Sequence, residues 1–421
     1  LPEQSIDASR YNTMKDPYAA LRIPEFKYFI IARFCIIIAL QIQRVAVGYQ
    51  IYDITGDVFA LGLMGLAEAI PSIGVSLVAG HITDMFPRKR IVMYALGVLT
   101  LCSVILWEIS FNMTHTLQDY GVTAIYGVIF LSGIARGFLG PAIFAFMPQL
   151  LTDKSLFQNA VSWNSTTWQT ASVVGPAVGG LVYGLTNVQT TYALDFGLMI
   201  FALLITLLIK PKPLPIHAEK YTLWESLTLG IKFIFGNRII LSAISLDLFA
   251  VLFGGAVALL PAFAKDVLKC GPEGLGILQA APAIGSVALA LTVTYFPIKK
   301  MAGLKLLIAV AGFGICMIGF ALSEFFWLSF AILLCSGLFD SVSVIVRSTL
   351  LHTFTPEHMK GRVSAVNNVF IGSSNEIGAF ESGLAARLIG LVPSVIFGGS
   401  MTLLVVSFMA FKAKVLRKLD L

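Results

Sequence analysis

The chain has 421 residues, of which only 12% are charged and 57% hydrophobic, with a formal net charge of +6 and a mean hydropathy of +0.85. Soluble domains carry about 25% charged residues, so a chain this apolar has too little polar surface to cover a core in water and must be solvated by lipid. Disordered, coiled-coil and nucleic-acid-binding classes are excluded on the same ground. The cysteines Cys35, Cys102, Cys270, Cys316 and Cys335 are far apart, lack CxxC spacing and read as small buried hydrophobes rather than a disulfide framework or a metal site.

A helix needs about 20 mainly apolar residues to cross a hydrocarbon layer of about 30 Å. Twelve such runs follow one another, at about 27–53, 58–80, 91–110, 122–150, 156–184, 190–209, 239–262, 273–296, 303–321, 325–350, 363–390 and 392–411. They are continuous apolar stretches, not ten-residue alternations of polar and apolar, which excludes a membrane β-barrel. The first run is too long for a signal-peptide core and is expected to be retained. Leu1 suggests a trimmed or partial N-terminus. The expected organisation is a cytoplasmic segment 1–26, a six-helix bundle 27–209, a linker 210–238, a second bundle 239–411 and a cytoplasmic tail 412–421. Within the linker, Lys210–Pro215 is rich in Pro and Lys, and residues 221–238 have an amphipathic pattern suited to the cytoplasmic membrane face.

Lys and Arg are held on the cytoplasmic side of membranes. Of the 29 in this chain, 22 fall in segments that are cytoplasmic if the N-terminus is inside. Lys265 and Lys269 fall outside, and Arg33, Arg44, Arg136, Arg347 and Arg387 fall within spans. Both termini are therefore expected in the cytoplasm, and the net positive charge reflects topology and contact with anionic lipid.

The two halves carry short matching stretches, as duplicated transporters do. Leu61-Gly62-Leu63 leading to Glu68-Ala69-Ile70-Pro71 in the second span corresponds to Leu275-Gly276-Ile277 leading to Pro282-Ala283-Ile284-Gly285 in the eighth. Ser132-Gly133-Ile134-Ala135-Arg136 corresponds to Ser336-Gly337-Leu338-Phe339-Asp340. The expected fold class is an all-α membrane protein of twelve transmembrane helices in two pseudo-symmetric six-helix bundles.

Between the second and third spans, Gly80, Asp84, Arg88 and Arg90 fit the spacing G-x-x-x-D-x-x-x-R-x-R. Glycine allows close helix approach, the carboxylate can cap a helix N-terminus, and the arginines hold the loop at the cytoplasmic surface. In the fifth span Gly175-Pro176-Ala177-Val178-Gly179-Gly180 combines a helix-breaking proline with small residues for tight packing. These stretches resemble the loop 2–3 signature of the major facilitator superfamily, with Pro87 in place of the usual glycine, and the G-P-x-x-G-G signature of its antiporters. Arg136-Gly137-Phe138-Leu139-Gly140 is similar to its R-x-x-x-G element. With residues 356–383, the chain resembles the superfamily's bacterial drug and siderophore exporters over nearly its whole length. The resemblance implies the major facilitator fold, alternating access between two rocking bundles, proton-driven export and the bacterial inner membrane. It also implies a latch between Asp84 and the start of the eleventh span.

An ionisable residue at the centre of a membrane helix costs about 2.5–3.5 kcal/mol on insertion scales, so it faces a partner or a wet cavity. Near mid-depth the sequence places Glu68, Arg136, Asp340 and Glu376; Asp247 and Arg347 lie nearer the cytoplasm, and Arg44 and Glu381 nearer the outside. Spans one, four, seven and ten line the cavity in the resembled family, which would put Arg44, Arg136, Asp247 and Asp340 on the transport path. Gln41, Trp163, Thr166 and Asn368 belong to polar stripes expected to line it with them. For proton coupling the first expectation is Asp340 opposite Arg136, and the competing one is Glu68 with Glu376, two carboxylates that would share a proton. Static locking of helices by paired charges is the other role open to these residues.

The expected function is proton-antiport export of a small amphiphilic drug- or siderophore-type molecule. A lipid or lysophospholipid flippase is the alternative, and a non-transporting receptor the lesser one. No ATP-binding, nucleophile-elbow or zinc-protease motif is present, so no enzyme activity is expected. The expected partners are substrate, protons and membrane lipid, the expected state is a monomer, and no cofactor or metal is expected.

Overall fold

The computed structural model describes residues 17–111, 122–151, 153–213, 223–295, 301–356 and 359–412. Among these, the apolar runs become helices whose ends are set by local sequence. Gly56, at φ +58°, closes α1 (Pro24–Thr55) by donating its N–H to the Tyr52 carbonyl at 2.9 Å. Asp57 then caps α2 (Val58–Met85), its carboxylate accepting from the Phe59 N–H at 2.9 Å. The Pro87 carbonyl accepts from the Arg90 N–H at 2.8 Å, in the first turn of α3 (Arg88–Phe111). The first half continues with α4 (Thr123–Phe146), which tightens into a 3-10 turn at Met147–Leu150, then α5 (Phe157–Leu185) and α6 (Val188–Leu207). Asn187 caps α6.

The amphipathic stretch forms α7 (Leu223–Gly236) and packs on later helices of the second half. That half comprises α8 (Arg238–Phe253), α9 (Pro272–Tyr295), α10 (Ala302–Ala321), α11 (Phe326–Phe354), α12 (Lys360–Ile389) and α13 (Leu391–Lys412). The seventh run departs from the regular helix expected over 239–262. It breaks at Gly254, passes through a 3-10 turn at Gly255–Leu259 and ends in a π turn at Phe263–Val267. Pro261, which has no N–H to donate, lies in this broken stretch and packs against Gly48 of α1.

Packing repeats between the halves. In the first, α1 lies on α5 and α6, α2 on α4, and α3 on α4 and α6. In the second, α8 lies on α12 and α13, α9 on α11, and α10 on α11 and α13. The halves meet chiefly where α2 crosses α12 and where α5 crosses α9. Both crossings are backbone on backbone. A Cβ on Gly62 would sit 3.1 Å from the Gly383 Cα, and one on Gly180 would sit 2.6 Å from the Gly276 Cα. Gly62 and Gly276 are the glycines of the repeated Leu-Gly-Leu/Ile stretches, now seen at equivalent crossings.

The second repeat has the same explanation. A Cβ on Gly133 would meet the Glu68 carbonyl at 2.5 Å, and one on Gly337 would run into the Pro282 backbone. Gly175 and Gly179 of the fifth-span motif press on Gln41 and Ile42 of α1, while Gly180 faces α9, so Gly175-Pro176-x-x-Gly179-Gly180 serves one contact within a half and one between halves.

Ten of the long helices are apolar enough to span a membrane by length and composition; α5 and α12 are long enough but more polar. Those two helices take part in the crossings between the halves, through their small residues.

Gly180→Val is expected to lower the unfolding temperature of the detergent-solubilised protein, costing about 1–3 kcal/mol as overpacking against an immovable backbone. Gly74→Ala, where nothing lies within 4 Å, should leave it unchanged. Equal effects of the two substitutions in a thermal melt would contradict the crossing geometry.

Candidate functional site

On α2, the face that lays Gly62 and Gly65 against α12 presents Glu68 one turn later, and Glu68 is 9% exposed. On α4, Ser132 and Arg136 share a face at i, i+4, and α1 brings in the neighbours Gln43 and Arg44. Glu68 Oε1 accepts from Arg136 Nη1 in a tight ion pair and from Arg44 Nη2 at 3.5 Å. Arg136 Nη2 also donates to Gln43 Oε1 at 3.2 Å. These polar groups line a small cavity of about 10 Å³ within the first half. Its apolar wall is Val47, Met64, Leu106, Val128 and Ile129.

Glu376 enters from the other half. Its Oε2 lies 3.6 Å from where a Gly65 Cβ would stand, and its charge interacts with Glu68, Arg44 and Arg136. The cluster therefore holds two guanidinium groups and two carboxylates, with one carboxylate supplied across the α2–α12 crossing. Glu68 and Glu376, the competing pair expected from the sequence, are thus neighbours in this conformation.

The expected Arg136–Asp340 pairing is not formed in this conformation. Arg136 is engaged by Glu68 and Gln43, whereas Asp340 lines a second small cavity of about 10 Å³ inside the other half, with Asp247, Phe313, Phe339 and Ser343. The repeat supplies the reason. Gly133 abuts Glu68 as Gly337 abuts Pro282, so the position equivalent to Glu68 carries a proline and the two halves hold different charges. Asp247 is in a buried ion pair with Arg347 of α11, and the Ser343 hydroxyl donates to Asp247 Oδ1 at 3.4 Å.

The remaining expected cavity residues separate from these. Gln41 packs on Gly175, and Thr166 lines neither cavity. Trp163 Nε1 donates to the Pro17 carbonyl at 2.8 Å with its ring against Tyr18, so residues before α1 cover it. The side chains of Asn368 and Asp84, and position Gly80, lie outside the described residues. Of the latch arginines, Arg88 donates to the Ala145 carbonyl of α4 at 3.2 Å and Arg90 is exposed. Lys89 between them donates to the Leu207 carbonyl at the end of α6, satisfying a helix C-terminus.

Sequence reasoning passed over Asp195 of α6, which is wholly buried beside Ser103 of α3. It stands only seven residues into its helix and reads in sequence as an interfacial acid. It also passed over a seam between α1 and the π turn after α8. There Tyr52 Oη donates to Asp266, and Lys265 Nζ donates to Asp53 Oδ1 at 2.5 Å. Tyr49 and Tyr183 meet edge to face beside it at 5.4 Å. This end of the molecule is closed between the halves.

These features define a multi-pass membrane transporter of the major facilitator type. The solved structures it resembles include a POT family transporter in complex with 5-aminolevulinic acid (TM-score 0.74, 10% identity, covering 93% of this chain and 96% of that one). They also include the nucleoside transporter NupG (TM-score 0.68, 13% identity, 92% and 99%). Residues 15–420 match the transmembrane secretion effector family, and the chain belongs to that family. Enterobactin exporters EntS of Shigella boydii serotype 18 and Escherichia coli O1:K1 are each 27% identical to it over 371 residues, 87% of this chain and 86% of theirs.

Asp247→Asn is expected to destabilise the protein by about 3–5 kcal/mol, because Arg347 is then left buried without its counter-charge. Asp247→Leu combined with Arg347→Met should recover most of that loss in a thermal melt. A double variant no more stable than Asp247→Asn would assign the pair a role beyond locking α8 to α11.

Proposed function

We propose that this protein is a proton-driven exporter of small amphiphilic organic molecules, working by alternating access in the bacterial cytoplasmic membrane. The observation that carries the reading is the Glu68–Arg136–Arg44 cluster with Glu376 contributed by the opposite half. Charges in low dielectric are tolerated only while balanced, so any motion that withdraws Glu376 from the arginines changes which protonation state is stable. Rocking of the halves about the glycine crossings is such a motion. We therefore assign proton exchange to Glu68 and Glu376 in preference to Asp340, whose cavity has no arginine among the described residues that line it.

The charge distribution along the chain supports a cytoplasmic location for both termini. The seam of Tyr52, Asp53, Lys265 and Asp266 then lies on the outer side, and the conformation described is closed outward. The export direction is drawn from the EntS relatives, whose printed name is that of an exporter. We assign Asp84 to the latch on the opposite side.

The test is uptake of a panel of radiolabelled aromatic amphiphiles, anionic, neutral and cationic, into energised inverted membrane vesicles. Uptake of at least one member should collapse on adding a protonophore. Glu376→Gln should abolish gradient-driven accumulation while leaving exchange of labelled for unlabelled compound. Accumulation that survives the protonophore removes the coupling. A Glu376→Gln variant with normal pH dependence returns the proton site to Asp340.

The outer seam gives a second expectation. The Lys265 and Asp53 side chains are 36% and 51% exposed, so their pair is worth only about 0.2–1 kcal/mol, small enough to break in every cycle. Lys265→Glu should slow turnover a few-fold, and adding Asp53→Lys should restore it. Failure of the swap to rescue turnover in proteoliposomes would exclude the pair from the gate.

A further inference from the structure

The cavity at Glu68 carries information about ligand charge that the proton-coupling role does not use. Its unsatisfied polar atoms are hydrogen-bond donors. Arg136 Nε and Ser132 Oγ are buried without a partner, and Ser132 is 3% exposed on the cavity wall. Arg44 is held by a single contact at 3.5 Å, longer than the 2.7–2.9 Å of a strong charge-assisted bond, and 47% of its side chain is exposed. Glu68 Oε1, by contrast, already accepts from both arginines, and Gln43 Oε1 is occupied by Arg136. A guanidinium fork is shaped to take two oxygens of one anionic group, and a buried donor without an acceptor is unfavourable until one arrives. The rest of the wall is aliphatic and thioether carbon.

We propose that the transported molecule is an amphiphilic anion, whose carboxylate-like oxygens are taken by Arg44 with help from Arg136 and Ser132, and whose apolar body is received by the wall of Val47, Met64, Leu106, Val128 and Ile129 when the cavity, only about 10 Å³ in the conformation described, widens. A cation in the same place would face two arginines, and the carboxylates that could pair with it, Glu68 and Glu376, already balance those arginines. A neutral amphiphile would leave the donors partly unmet. The anion and Glu68 compete for the same guanidinium groups, so loading the substrate loosens Glu68 from Arg44 and leaves it free to exchange its proton. This inference rests on the exporter reading of the site, and it is tested by equilibrium binding, which needs neither a gradient nor a direction of transport.

The probes are 2-naphthylacetate, its neutral counterpart 2-naphthylacetamide and the cation 2-(2-naphthyl)ethylammonium. Binding of each to the purified full-length protein in detergent is measured by calorimetry and by shift of the unfolding temperature. The anion should bind about tenfold tighter than the amide, the difference one charge-assisted hydrogen bond makes, and the cation more weakly still. Arg44→Gln should bring anion and amide to within about twofold, and Arg44→Lys should keep part of the preference because a point charge remains without the fork. The half-exposed Arg44 makes these variants less prone to misfolding than substitutions at Arg136, and an unchanged unfolding temperature without ligand checks this.

Equal binding of the amide or the cation, an anion preference that survives Arg44→Gln, or no measurable binding of the anion would each overturn the assignment. Anion binding that depends on Arg44, in a protein whose vesicles show no protonophore-sensitive uptake, would uphold the ligand class while the coupling fails. Protonophore-sensitive uptake of the neutral or cationic panel members alone would do the reverse.

Discussion

Two helix crossings with no side chain between their backbones hold the halves together and place the site. Where Gly62 meets Gly383 and Gly180 meets Gly276, even a methyl group would collide with main chain. Lipid gives helices little hydrophobic reason to associate, so contact area depends on such close approach. The same approach brings α12 near enough to α2 for Glu376 to reach past Gly65 toward Glu68 and Arg44. Small residues at the crossing thus determine both how closely the halves approach and which charges face each other there.

The low dielectric of the interior explains how the buried charges are distributed. Each must be balanced by a neighbour or reach water, and the two halves solve this differently. The first half pairs Glu68 with Arg136 and Arg44; the second pairs Asp247 with Arg347 and leaves Asp340 in a small, mostly apolar cavity. The backbone repeat survives in both, since Gly133 on Glu68 and Gly337 on Pro282 are the same contact. Its side chains have diverged. A duplicated scaffold in which Pro282 of the second half stands where the first half has Glu68 gives the interior an electrical asymmetry that the fold alone would not supply.

Much of the architecture was legible before any coordinates. The twelve apolar runs became twelve long helices, and the short Leu-Gly and Ser-Gly repeats fell at equivalent contacts. The break after Phe253 was not legible, because Gly254 and Pro261 are tolerated inside membrane helices and do not announce a π turn. For the site, the individual charges at Glu68, Arg136, Arg44 and Glu376 stood out in an apolar background, but their partners did not. The pseudo-symmetric positions of Arg136 and Asp340 suggested a pair, and the Trp163 stripe suggested a cavity wall that residues 17 and 18 instead cover.

The sequence by itself determined that the chain lies in a membrane, that it is a series of apolar helices, where several of them stop and where most of the intramembrane charges lie. Those properties follow from composition and from interactions within a few residues, such as Gly56 with Tyr52 or Asp57 with Phe59. Only the tertiary structure decided that Glu68 rather than Asp340 holds Arg136, that Asp247 is locked to Arg347, and that Tyr52 and Asp53 meet Asp266 and Lys265 across the two halves. Each of these joins residues 68 to more than 200 positions apart, and which charge finds which depends on helix rotation and depth, quantities that helical periodicity leaves free until the helices pack.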